Sequence, residues 1–314
     1  MLTSPLERQI TLHQLRIFKT VVDLKGVTRA SEALSLSQSA VTHQVQALAR
    51  SLGHPLIQPG RRAFELTPVG AALYERAGRI LALVRETSEA LDEISGVRSG
   101  SVRIAGDTTV GIYVLPDALA SFNSQHPEIE LSLEVVNRKR VRELLLGGDA
   151  DLGVAGRLWD DDLLEAEPFM ANELMCFCAP NHPLVKREPL EPSDLLDGPL
   201  LLREPGSGTR ESAEEILREH GVDPHPAMQM ASNGALKRAV AKGLGVTVLS
   251  SHAVRLELEL HLLHPLEVRG FPVHRTWHVV WARERFLSPA ALAFRRHLQS
   301  TEWRVDLAVP LARE

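Results

Sequence analysis

The chain has two cysteines in 314 residues, few aromatic residues and no apolar run approaching the ~20 residues that cross a bilayer. No membrane-embedded body is therefore expected. Two thiols cannot build a metal cage. Cys176 and Cys178, in ELMCFCAP, are expected on a strand, pointing to opposite faces, as buried thiols with no basic neighbour to activate them. The first residues, MLTSPLERQITLHQ, lack the continuous apolar segment of a secretory signal, so the expected location is cytoplasmic. Catalytic signatures are missing as well. There is no G-x-S-x-G elbow, no H-E-x-x-H pair and no phosphate-binding G-x-x-x-x-G-K loop. Gly206-Ser207-Gly208 is too short to count. His274 and His278 would suit a metal on a helix, but WHVVW reads as a strand, which sets them ~13 Å apart. His261 and His264 fall in a loop-like stretch without an acidic ligand nearby. No enzyme, catalytic residue, metal site or cofactor is expected.

What is present is unevenly distributed. Residues 1–70 carry eight Lys and Arg against four Asp and Glu, and the rest carries 27 against 36. A basic head on an acidic body points to nucleic acid at one end. The length allows two or three domains.

The head reads as helices. Leu12, Leu15, Phe18, Val21 and Val22 recur at a helical period, and Gly26 interrupts them. Thr28 is expected to cap a short second helix holding Ala30, Ala33 and Leu34. A third begins at Ser37, turns Ala40, Val41, Val45 and Leu48 inward, and ends before Gly53. HPLIQPGRRAFELTP then has the look of a β-hairpin wing, with Arg61 and Arg62 after a Pro-Gly turn. Thr67 and Pro68 open a long helix with an apolar stripe that stops at Gly96. The stretch RSGSVRIAG, residues 98–106, marks a boundary. Beyond it strands near 101–106, 130–136, 151–155, 173–179, 199–203, 226–231, 245–249 and 276–282 alternate with helices near 111–125, 138–147, 208–220, 233–242 and 288–299. Such alternation implies mainly parallel, open sheets.

A short helix, a tight turn and a second helix form the geometry that sets a recognition helix in the major groove. Here the outward face of that helix carries Gln38, Ser39, Thr42, His43 and Gln46, with Ser37 at its start. Gln can bond adenine edges, Thr can touch a thymine methyl, and all can reach phosphate. Thr28 and Arg29, at the second helix, and Arg61 and Arg62, at the wing tip, complete the expected DNA contacts.

These residues resemble the N-terminal module of the LysR-type transcriptional regulators. The matches are the Ala-Ser-Glu-Ala-Leu helix, Leu-Ser-Gln-Ser-Ala-Val-Thr, the Leu-Gly-x-Pro-Leu turn and Leu-Thr-Pro-x-Gly, at the family's spacing. The family usually has Pro where Ser39 stands and Arg where His43 stands. The resemblance covers the whole chain. It implies an α/β protein with an all-α N-terminal domain: a winged helix-turn-helix over 1–67, a linker and dimerisation helix over 68–97, a two-lobed, periplasmic-binding-protein-like effector domain over 98–300, and a tail over 301–314. The stripe on the long helix needs a partner, and the resemblance adds that it pairs copies into a homodimer or homotetramer. Double-stranded DNA and RNA polymerase are the macromolecular partners expected.

In the α/β half, strand-to-helix junctions expose backbone N–H groups suited to anions. Three stand out: AGDTTVGIYVLP with Thr108 and Thr109; LLREPGSGTRESAEE with Glu204, Ser207, Gly208, Thr209 and Arg210; and MASNGALKRAV, where Asn233 is expected to cap a helix. Together they predict a cleft between two lobes. The resemblance supports that cleft through Thr108, Ser207 and Thr209. AGDTTVGIYVLP and REPGSGTR look most like regulators of carbon fixation and of sulfur or cysteine metabolism, which implies a small, anionic effector. A two-lobed α/β body alone would also suit a small-molecule binding or transport protein, or an enzyme, but neither accounts for the winged basic head.

Overall fold

The computed structural model describes residues 10–58, 64–94, 100–187 and 189–304. Two compact units emerge, one comprising residues 1–97 with 146–149 and the other 98–145 with 150–314.

The first unit opens with α1 (Leu12–Asp23), α2 (Val27–Ala33) and α3 (Gln38–Leu52). Thr11 caps α1 reciprocally with Gln14. The cap expected from Thr28 is not there. Gly26 holds the N-cap position of α2 without a side-chain bond, and Thr28 lies inside the helix, exposed. With Gly26 as cap, Val27 starts the helix two residues earlier than a cap at Thr28 would have placed it. Ser37 does cap α3, accepting from the Ala40 N–H. Gly53 ends the helix in the left-handed region at φ 72°, where a side chain would be strained. Ile17, Phe18, Val21, Val41, Leu48 and Leu56 form the core that holds the three helices. After it, an antiparallel bridge joins Ile57 to Leu66, and the Gln58 N–H donates to the Glu65 carbonyl. These are the two ends of the expected wing; its tip, with Arg61 and Arg62, lies outside the described residues. Thr67 Oγ1 accepts from the Gly70 N–H, and Pro68 begins α4 (Pro68–Ile94). Leu73, Tyr74 and Ala77 of α4 pack on the head core, while Ile80, Leu83, Val84 and Leu91 are exposed.

Among the described residues, the second unit is built on a sheet of nine strands clothed by helices. It contains β1 (Gly100–Asp107), α5 (Thr108–Tyr113), α6 (Leu115–Gln125), β2 (Ile129–Val136), α7 (Arg138–Gly147), β3 (Leu152–Ala155), β4 (Leu164–Cys178) and β5 (Leu200–Arg203). There follow α8 (Gly208–Glu219), β6 (Met228–Met230), α9 (Asn233–Ala241), β7 (Val246–Ser250), α10 (Arg255–Glu259), β8 (His264–Leu266), β9 (Val273–Ala282) and α11 (Pro289–Gln299). The strand order is β2-β1-β3-β9-β4-β7-β5-β6, with β8 beside β4.

Two parallel sets, β2-β1-β3 and β7-β5-β6, form the two lobes. Antiparallel β4 and β9 run through both and join them. Parallel sheets were anticipated; the antiparallel seam was not. A strand over 173–179 falls short because β4 begins at Leu164, and Pro168 sits at a register shift within it. The helix expected over 111–125 is two. It starts at Thr108 and breaks at Val114, because Pro116 has no N–H to continue the ladder. His264 belongs to β8 rather than to a loop, and α10 precedes it. His274 and His278 do lie on a strand.

Each lobe has its own core. Ile104, Val110, Leu115, Phe122, Val279 and Phe294 fill one. Cys176 and Cys178 both join Leu200, Leu202, Val246 and Val248 in the other. Opposite faces for the two thiols is thus corrected: a strand's side-chain period of two puts residues two apart on one face. Both thiols are buried, and burial, then Cys178, raises the Cys176 thiol's pKa far above its ordinary value. Among the described residues no helix is long and apolar enough to cross a membrane, and no group of three or more His, Cys, Asp or Glu could hold a metal ion.

Candidate DNA-reading face and effector cleft

The helical head offers a polar surface at α3. Gln38, Ser39, His43 and Gln46 are exposed and Thr42 is half-buried, while Val41, Val45 and Leu48 are turned into the core. The three buried residues recur at i, i+4 and i+7, so the polar set falls on the opposite face by helical geometry. Ser37 is occupied by its cap and also lies 3.0 Å from Ser39 Oγ. Arg29 is exposed on α2, with its guanidinium donating to the Lys25 carbonyl. This face therefore presents amide, hydroxyl and imidazole groups, the side chains that bond base edges and phosphate.

In the second unit the expected cleft residues converge from both lobes. From the first lobe come the residues at the end of β1. Thr108 Oγ1 donates to the Val136 carbonyl at 3.2 Å, which ties α5 to the end of β2. Thr109 is buried, and its hydroxyl lies 3.5 Å from Asn233 Nδ2 in the second lobe. Asn233 is 1% exposed. The cap expected of Asn233 is made by Ser232 instead, whose side chain accepts from the Ala235 N–H. That releases the Asn233 amide to bridge Thr109 and Arg203.

Arg203 organises the second lobe's side of the cleft. It ends β5, is 2% exposed, donates to Asn233 Oδ1, and forks onto Glu204 at 2.8 and 3.0 Å. A guanidinium this buried persists because every arm facing the cleft has an acceptor. Ser207 holds the N-cap position of α8, is buried, and makes no capping bond with its side chain. Gly208 begins the helix and Thr209 is half-buried beside it. Arg210 turns to Glu214, at 2.6 Å, and to the Arg203 carbonyl, at 3.1 Å, so it braces β5 against α8.

Three residues of the cleft escaped the sequence reading: Asp107, Arg138 and Arg203. Each stands at or just past the carboxyl end of a strand, a position that signals ligand contact in open α/β sheets. Arg203 was legible as a charge closing the apolar run LLLR. Asp107 is half-buried, and burial pushes its carboxyl up to about 6 against the Thr108 N–H, Arg203 and Arg138, with Glu204 adding to the rise. Arg138 donates to the carbonyls of Arg157 and Leu158 and reaches Glu211 of α8 at 3.2 Å. Arg157 reaches Glu215 at 2.9 Å, and Arg275 reaches the same carboxylate at 3.2 Å. A ladder of ion pairs thus links α8 to the first lobe along the cleft's edge.

Comparison with known proteins gives the same division of labour. Residues 12–71 match the bacterial regulatory helix-turn-helix protein of the lysR family, and residues 95–302 match the LysR substrate binding domain. The chain is 38% identical to a RuBisCO operon transcriptional regulator of Allochromatium vinosum, across 94% of this chain and 98% of that one. It is 34% identical to the HTH-type transcriptional regulator CysL of Bacillus subtilis, across 83% and 87%. Among solved structures, the CcmR regulatory domain of Synechocystis in complex with 2-PG superposes with a TM-score of 0.61 at 31% identity, covering 64% of this chain and 96% of that domain. These relatives are regulators, not enzymes. The chain belongs to the LysR family and is a DNA-binding transcriptional regulator with an effector-binding domain.

Proposed function

We propose that a small anion, bound between the two lobes, controls how a pair or two pairs of these chains sits on an operator. The observation that carries the reading is the chain Thr109–Asn233–Arg203, which runs from one lobe into the other at the carboxyl ends of β1 and β5. A ligand seated there meets the unpaired N–H groups of α8 and the hydroxyls of Thr108, Ser207 and Thr209. Glu204, Gly208 and Arg210 shape the same wall. An anion that favours one lobe arrangement shifts the population toward it.

The DNA-contacting set is Thr28, Arg29, Ser37, Gln38, Ser39, Thr42, His43 and Gln46, with Arg61 and Arg62 from the wing. Residues 1–67 form the DNA-binding domain, 68–97 the dimerisation helix, 98–300 the effector domain and 301–314 a tail. The exposed row Ile80, Leu83, Val84 and Leu91 supports pairing through α4 into a homodimer or homotetramer. RNA polymerase is the remaining partner, and the cytoplasm, where the operator lies, is the place of action.

Likeness to the CcmR domain makes 2-PG the first compound to test. Calorimetry and an operator shift assay with 2-PG, sulfate and simple carboxylates should show binding that changes the shift and that Asn233→Ala weakens at least tenfold. If none of these anions binds, or if Asn233→Ala responds as wild type does, the cleft is not the effector site.

A further inference from the structure

Asp107 stands at the N-cap position of α5, yet its side chain makes no capping bond. It reaches instead to the second lobe. A methyl group placed on Gly208 would lie 3.3 Å from Asp107 Oδ2 and 3.9 Å from Arg138 Cδ. Gly208 is the first residue of α8, a twelve-residue helix whose N-cap, Ser207, leaves its N–H groups without a side-chain acceptor. A carboxylate from the opposite lobe therefore faces the free positive end of α8, the position an effector anion would use.

We propose that Asp107 is a built-in competitor for the effector anion, so that an anion enters the cleft together with one proton taken up by this carboxyl. The proposal rests on the reading of the cleft as an anion site.

The charges facing Asp107 make the exchange workable. Arg203 from β5 and Arg138 from α7 attract it, Glu204 repels it, and the Thr108 N–H donates to it. Arg203 is already forked onto Glu204, and Arg138 pairs through one arm with Glu211 at 3.2 Å while its other nitrogens donate to the Arg157 and Leu158 carbonyls. A second anion placed beside an ionised Asp107 would thus find both cations committed. Protonation removes the repulsion and turns the carboxyl into a donor toward the anion. Burial pushes this carboxyl up to about 6, so the proton is available near neutrality. The same logic sets specificity: at higher pH the site selects anions that bring their own donor, such as a hydroxy acid, to meet the carboxylate.

Sulfate is the probe, because its charge does not change between pH 5.5 and 8. Calorimetry of the full chain in two buffers of different ionisation enthalpy measures affinity and proton uptake together. In wild type, sulfate affinity should fall above pH 6, at up to about tenfold per pH unit, with nearly one proton taken up per sulfate. Asp107→Asn, and Asp107→Ser as a second variant, should bind sulfate more tightly at pH 8 with a flat profile. Wild-type binding that is flat with pH, or variants that keep the wild-type slope, would overturn the role of Asp107 and leave the anion cleft standing. Sulfate bound by none of the three at any pH would remove the anion cleft, and this inference with it.

Discussion

The amide of Asn233 joins the lobes, accepting from the buried guanidinium of Arg203 on one side and donating toward Thr109 Oγ1, 3.5 Å away, on the other. This polar bridge joins two lobes that strands β4 and β9 and the Arg138–Glu211 and Arg157–Glu215 ion pairs also connect. At the effector site proposed above, this position would couple ligand contact to lobe geometry. A ligand that took one of these hydrogen bonds would alter the tie between the lobes at the same moment.

Arg203→Ala tests the anchor of that bridge. It strands Glu204 and leaves Asn233 without its donor. Breaking a buried pair costs about 3–5 kcal/mol, and because Glu204 is partly solvated the expectation here is ~2–4 kcal/mol. Thermal unfolding should drop by about 10 °C, with effector response lost. Arg203→Lys should restore charge but not the fork, recovering stability in part and effector response little. An unchanged midpoint in Arg203→Ala would show that the pair does not support the lobe.

Asp151 gives an acid-side prediction. Burial by itself would raise its pKa, but hydrogen bonds from Arg103, at 2.5 Å for the closest arm, and the charge of Arg285 hold it below the usual carboxylate range. A depressed pKa contributes stability above the unfolded value near 4 and loses it as pH falls through the folded value. Wild type should therefore lose stability on acidification below pH 4 more steeply than Asp151→Asn, which starts lower at pH 7. Parallel pH–stability curves would refute this.

On α3, His43→Arg adds a fixed positive charge to the proposed DNA-facing surface. Affinity for operator and for unrelated DNA should rise together, and the slope of log affinity against log salt should steepen by about 0.9. Gln46→Ala should instead narrow the gap between operator and unrelated DNA, by ~1–3 kcal/mol if it reads a base. A shift assay over a salt series separates the two outcomes.

The cap of α3 is a local test. Ser37→Ala removes the acceptor for the Ala40 N–H and should cost about 1 kcal/mol. Ser37→Asp should retain most of that, since a carboxylate also suits the helix start. Equal stability of all three by denaturant titration would mean the cap is redundant.

The exposed row on α4 predicts assembly. Leu83→Glu with Val84→Glu places charge where a second copy would bury apolar surface. Sedimentation at micromolar concentration should show smaller species than wild type and weaker operator binding. A wild-type chain that is strictly monomeric would dispose of the pairing outright.

Much of this protein was legible in its sequence. Helical periodicity in the head placed Val41, Val45 and Leu48 inward and left Gln38, His43 and Gln46 outward, because a lone amphipathic helix has only one way to bury its stripe. Alternating apolar runs and helices likewise announced an α/β body, and Gly53 and Pro68 marked helix ends through backbone rules that act within a few residues. Local rules failed where several starts or stops competed. Thr28 lost to Gly26, Asn233 to Ser232, and one anticipated helix split at Pro116.

The tertiary structure alone decided the rest. Nothing local in LLLR says that Arg203 will be buried, or that its partners will be a neighbour in sequence and an asparagine thirty residues on. Nothing in AGDTT says that the Asp107 carboxylate will face Gly208 across the cleft. Both outcomes follow from the antiparallel seam of β4 and β9, which brings two parallel sets of strands edge to edge with their carboxyl ends facing one cleft. Periodicity fixes which way a side chain points from its own element. Which charges then meet across a cleft depends on strand order and register, and those are set by pairings between residues far apart in the chain.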